Sequence, residues 1–72
     1  MALLIRKFFR ELREGAEFCF PKDEDVRYRK LKTQDSKNGK RIINCRGISP
    51  EFAKDVEFLC DRKDVILHVE NT

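Results

Sequence analysis

Seventy-two residues, 40% hydrophobic and 40% charged with a net charge of +3, suffice for one small domain and are too apolar for general disorder. They leave no room for a catalytic domain beside a cofactor domain. The longest early apolar run, MALLI, falls far short of the ~20 residues of a membrane span. Arg6 and Lys7 follow that run instead of preceding it as in a secretory signal, so the expectation is an intracellular, cytoplasmic chain.

In ALLIRKFFRELREG, Leu4, Phe8 and Leu12 recur at i, i+4, i+8, and Ile5, Phe9 and Leu12 at i, i+4, i+7. This spacing predicts one broad helical stripe ended by Gly15. A short strand over residues 3–7 followed by a single helical turn is the alternative. AEFCFP then alternates, with Phe18 and Phe20 on one face and Glu17 and Cys19 on the other, before Pro21 ends the strand or confines it to an edge. KDED reads as a solvated turn. VRYRKLK is a second strand in which Val26 and Tyr28 oppose Arg27 and Arg29, and Leu31 breaks the alternation with a bulge or strand end near Lys30.

TQDSKNG is rich in turn formers, and Asn38-Gly39 is a hairpin signal that joins this strand to a third, KRIINCRG. SPEF is a helix-start signature with Ser49 as N-cap and Pro50 in the first turn. VEFLC and DVILHV are two short strands, joined by DRK as a tight hairpin. The fold expected is mainly β: one domain over 1–72, a small antiparallel five-stranded barrel or rolled sheet with a short N-terminal helix or strand and one helical turn near 50–54. Phe18, Phe20, Tyr28, Phe58, Val65 and Leu67 are its expected core.

Phe9, Leu12, Gly15, Phe18, Tyr28 and Lys30 also form a spaced pattern, F-x2-L-x2-G-x2-F followed by Y-x-K. It resembles a pattern in small, mostly uncharacterised bacterial and phage proteins, and covers about a third of the chain. That resemblance implies a turn at Leu12 and Gly15 that delivers an aromatic strand into a barrel similar to Src-homology-3 domains. It implies no shared catalytic residues. The long hydrophobic start and SPEFAKD depart from it.

Charge is unevenly placed. Residues 1–25 carry five Lys/Arg and six Asp/Glu (−1), residues 26–46 eight against one (+7), and residues 47–72 three against six (−3). If Asn38-Gly39 makes the hairpin, Arg27, Arg29, Lys30 and Lys32 on one strand meet Lys40, Arg41 and Arg46 on the next. Like charges opposite one another destabilise a sheet, so the arrangement suits an anionic partner, and phosphate fits. Tyr28 shares parity with Val26 and reads as core more than as a stacking platform for bases.

Cys19, Cys45, Cys60 and His68 show no C-x2–4-C pairing and fall on different strand faces, which points to buried thiols and to no metal. An odd cysteine count with no tight framework is unlike a disulfide-stapled secreted domain. There is no glycine-rich phosphate loop, no local Cys–His signature, and the carboxylates Asp23, Glu24, Asp25, Asp61 and Asp64 fall at turns and strand ends. The expectation is a non-enzymatic binding module with no cofactor, whose basic hairpin binds nucleic acid or a nucleoprotein complex. The alternative is a protein–protein module, a homodimer or a phage-type inhibitor of a host complex, anchored by Ile5, Phe8 and Phe9.

Overall fold

The computed structural model describes residues 2–71. Six strands, β1 (Ala2–Phe8), β2 (Glu17–Phe20), β3 (Asp23–Asp35), β4 (Ile42–Ser49), β5 (Glu57–Phe58) and β6 (Val65–Asn71), form one antiparallel sheet in the order β1-β6-β2-β3-β4-β5. Two single 3-10 turns, Phe9–Glu11 and Glu51–Ala53, supply the helical content of the described residues. None of their helices is long and apolar enough to cross a membrane. The fold is thus mainly β, with six strands instead of five. The sheet keeps two edges, β1 and β5, and does not close into a barrel.

Of the two readings of the first segment, the structure takes the alternative: residues 2–8 are a strand followed by a single 3-10 turn, and the helix that the spacing predicts does not form. ALLIRKF satisfies both periods over so short a length; a seven-rung ladder with β6, from Ala2–Asn71 to Phe8–Val65, decides between them. An isolated helix of about a dozen residues is marginal in water, whereas this strand satisfies one edge of its backbone at once. Glu11 Oε1 accepts the Phe8 N–H at 2.9 Å and ties the turn to the strand's end.

The C-terminal hairpin is a second correction, because β5 pairs with β4 and β6 lies between β1 and β2. The Asn44 side chain accounts for the separation. Its amide donates to Cys60 O at 2.9 Å and its carbonyl accepts from Cys60 N at 2.7 Å, which holds the chain beside β4 beyond the end of β5. Asp61–Asp64 then turns the chain, and Phe9 N and Arg10 N donate to Asp64 O and Arg62 O at 2.8 and 3.1 Å. SPEF also differs in detail: Ser49 closes β4, and Pro50 takes the cap position with no side-chain cap bond.

The core gathers Phe9, Leu12, Phe18, Cys45, Cys60 and Ile66, flanked by Phe20, Tyr28 and Phe58. Register explains why Ile66 enters it while Val65 and Leu67 stay half-buried. Phe18 pairs with His68 and Cys19 with Leu67, so the even residues of β6 share the face of Phe18. Cys19, on the other face, is buried as well.

The six pattern residues form one connected unit. Phe9 meets Phe18 edge-on at 5.5 Å between ring centroids, and Phe18 lies 5.7 Å from Tyr28. Gly15, with φ of 89°, makes the left-handed turn that a side chain would resist. Its N–H donates to Lys30 O at 2.7 Å, and Lys30 N donates to Ala16 O at 2.9 Å. The spacing is a device for closing the N-terminal turn onto β3.

Candidate functional site

The β3–β4 hairpin is the long arm of the sheet. Its register pairs Arg27 with Ser49, Tyr28 with Gly47, Arg29 with Arg46, and Lys30 with Cys45. The pairing shifts between Lys30 and Gln34, at the irregularity that Leu31 signals, before Gln34 meets Ile43 and Asp35 meets Ile42. Ser36 N donates to Arg41 O at 2.8 Å and Gly39 N to Ser36 O at 2.9 Å, closing the tip. Asn38 Oδ1 accepts from Ser36 Oγ at 2.6 Å and Lys40 N at 3.0 Å, and Gly39 adopts φ of 71°. These bonds hold the cations at the tip on a defined turn.

Arg29 and Arg46 do face one another, as the hairpin requires, but they are not an isolated like-charge pair. Glu17 is the register partner of Arg29 on one side and Glu57 that of Arg46 on the other, so one row across β2, β3, β4 and β5 reads −, +, +, −. Arg46 Nη2 lies 2.7 Å from Glu57 Oε2, and Glu57, only 8% exposed, also accepts the Lys37 N–H on Oε1 at 3.2 Å. The Arg46 guanidinium, then the Lys37 amide, hold the Glu57 carboxyl below the usual carboxylate range.

Of the seven predicted cations, three are thus engaged inside the protein. Arg46 pairs with Glu57. Arg27 Nε stands 3.7 Å from Glu17 Oε2, and its Nη1 donates to Glu24 O. Lys30 is part-buried, its Nζ donating to Leu12 O at 2.7 Å and Phe9 O at 3.1 Å and standing 4.6 Å from the Phe9 ring centroid. Arg29 is exposed and makes one bond, to Gly15 O at 3.2 Å. Lys32, Lys40 and Arg41 are exposed and form no ion pair among the described residues. Lys37 joins them at the tip, with an exposed contact to Asp55 at 3.4 Å that costs little to exchange.

The N-terminal candidates separate. Phe9 is 2% exposed and belongs to the core, so it is no surface anchor. Ile5 is half-buried, and Phe8 is 41% exposed with the Arg10 guanidinium 4.6 Å from its ring centroid. More exposed apolar side chains, which the sequence reading missed, lie toward the opposite edge: Phe52 at 79%, Leu59, Ile42 and Val56. Tyr28 sits among Phe18, Phe20 and Phe58, and burial pushes its hydroxyl pKa up. It is a core aromatic and not an open platform.

Cys19, Cys45 and Cys60 are free and buried. Cys60 lies beside Cys45 and, at 3.5 Å, Asp64 Oδ2; the Cys45 contact and burial push its thiol far up, away from the nucleophilic form. Burial likewise raises Cys19, with Arg27 opposing it in part. No group of His, Cys, Asp and Glu suited to a metal ion occurs among the described residues. A concavity of about 690 Å³ beside the irregular stretch of β3 is lined by Arg10, Lys30 and Arg62 together with Glu14 and Asp61. Phe9, Leu31, Leu59 and Cys60 line it as well, so its surface is apolar as much as charged.

Comparison with protein-family models, with curated proteins and with solved structures finds no match to this chain.

Proposed function

We propose that this chain is a small non-enzymatic cytoplasmic binding module that holds nucleic acid, alone or within a nucleoprotein, through phosphate contacts from the outer part of the β3–β4 arm. The observation that carries this reading is the exposure of Lys32, Lys40 and Arg41 without ion-pair partners among the described residues, on a segment whose one carboxylate is Asp35. Arg29 and Lys37 add charge on the same arm. Phosphate contacts of this kind give sequence-independent affinity through release of counterions. The Asn38-braced turn supports the reading further, because cations held in place lose less freedom on binding.

A second reading, a protein–protein module, is favoured by a separate observation: Phe52, Ile42, Val56 and Leu59 are all exposed apolar side chains. On that reading the basic arm steers an acidic partner.

The experiment is fluorescence anisotropy of random single- and double-stranded oligonucleotides across about 50 to 200 mM salt. The expected result is binding that weakens with a log–log slope of about −2 to −3, as three phosphate contacts require, and that the triple variant K32E/K40E/R41E loses. No binding at the lowest salt, or full affinity in the triple variant, overturns the reading. Loss of a protein complex in Phe52→Asp with oligonucleotide binding absent would favour the second one.

A further inference from the structure

The two edges of the sheet differ in kind. β5 offers two residues, while β1 offers seven, paired with β6 on one side and with no described residue on the other. A long edge strand with unpaired N–H and C=O groups is a template for another strand, and natural edges are commonly blunted by brevity, bulges or proline. β1 has none of these, and the charged residues that also blunt edges, Arg6 and Lys7, are confined to its second half. Its seven rungs with β6 run without a shift in register, and Leu3, Leu4 and Phe8 are exposed on it.

We infer that β1 pairs antiparallel with β1 of a second copy, about a two-fold axis at Ile5, to make one continuous sheet through a dimer. The sequence of the strand selects this occupant and this register. Charges occupy only the second half, at Arg6 and Lys7, and the first half is Ala2, Leu3 and Leu4. A parallel in-register pairing would set Arg6 against Arg6 and Lys7 against Lys7. The antiparallel register centred on Ile5 is the one that pairs all seven residues, and it sets Arg6 against Leu4, Lys7 against Leu3, bulky Phe8 against small Ala2, and Ile5 against itself.

Charge complementarity extends one strand further. Leu3 is the register partner of Glu70 on β6, so Leu3 and Glu70 share a face, as do Leu3 and the partner's Lys7. Strands lie about 4.8 Å apart, so the partner's Lys7 stands about two spacings from Glu70, and the lysine stem laid across Leu3 brings its ammonium to the carboxylate. Within one protomer Lys7 and Glu70 form no ion pair, since Lys7 sits opposite Ile66, four rungs along, and Glu70 Oε1 has only His68 Nδ1 beside it among the described residues, at 3.4 Å. The contact is repeated by symmetry, as an isologous interface demands.

Sedimentation equilibrium on the intact protein from micromolar to near-millimolar concentration should show a monomer–dimer equilibrium. Lys7→Glu and Glu70→Lys should each weaken it about tenfold, because both symmetric contacts become repulsive. An equimolar mixture of the two variants should recover wild-type association, since every Lys7–Glu70 site in the mixed dimer again has opposite charges. Concentration-dependent hydrogen exchange of wild-type protein supplies a check without mutation, with slowing expected at alternate amides of β1. A monomer throughout the range, an acceptor for β1 found only in another protein, or a mixture that associates no better than either variant would overturn the inference.

Discussion

The ammonium of Lys30 and the carbonyl oxygen of Leu12 lie 2.7 Å apart across eighteen residues of sequence, and the same ammonium reaches Phe9 O. Leu12 O, just past the 3-10 turn, takes its donor from the lysine, while Phe9 O, which already accepts the Leu12 N–H at 3.1 Å within the turn, gains a second, charged donor. Lys30→Met keeps the stem and deletes the donors. The expected cost is about 1.5–3 kcal/mol, the range for hydrogen bonds to a charged group, read as a lower urea midpoint with an unchanged denaturant slope. Oligonucleotide affinity of the folded variant should be that of wild type.

Single substitutions on the arm should act differently. Lys32→Ala, Lys40→Ala and Arg41→Ala each remove one exposed cation with no internal partner. Each should reduce the salt slope of oligonucleotide binding by about one unit while moving stability by no more than about 0.5 kcal/mol. Titrations at three or more salt concentrations, paired with urea melts, separate these effects. A variant that loses stability and keeps its slope would remove that residue from the binding face.

Glu57 makes stability depend on pH in acid. Its carboxyl is held below the ordinary value of 4.5 in the folded chain. At neutral pH both folded and unfolded forms are ionised and the contribution is complete. It falls away as pH drops below 4.5 and through the lower folded value, because the unfolded chain takes up the proton first. Glu57→Gln should be less stable than wild type at neutral pH and should show a shallower loss on acidification. Urea midpoints measured for both proteins from neutral pH into that acid range provide the check, and parallel curves would count against the assignment.

Gly47→Ala tests the close approach of the Glu51–Ala53 turn to β4. The added methyl would overlap the Ala53 carbonyl oxygen, a backbone atom that cannot rotate away. A destabilisation of about 1–3 kcal/mol follows from overpacking of that kind, which in a domain of this size lowers the melting temperature by several degrees per kcal/mol. A melting temperature within a degree of wild type would mean that the turn moves aside freely.

Much of this architecture is legible in the chain. The alternation in AEFCF and VRYRK places Phe18, Phe20 and Tyr28 on one face, and Asn38-Gly39 locates the hairpin tip. What is not legible depends on partners distant in sequence. ALLIRKF becomes a strand because β6 is there to pair with it, and VEFLC separates from DVILHV because Asn44 holds Cys60. The site shows the same division. The positive run is visible in the sequence, but the charge pairing of Arg46 and the internal hydrogen bonding of Lys30 are not, since Glu57 and the 3-10 turn arrive only through strand order. The parity of Glu57 opposite Phe58 was the one available clue, and it gains meaning only once β5 is known to lie beside β4.

The absence of a side chain at Gly47 has a further effect, on how many copies can join. It lets the chain from Glu51 to Val56 lie flat on β4, with Gly47 N donating to Val56 O at 2.7 Å and Gly47 O accepting from Asp55 N at 3.1 Å. That end of the sheet therefore finishes in a two-residue strand and a folded-over loop. A sheet that can be extended from only one end adds a single neighbour and then has nothing left to offer. If β1 joins a second copy as inferred above, growth of the sheet through that edge stops at a pair.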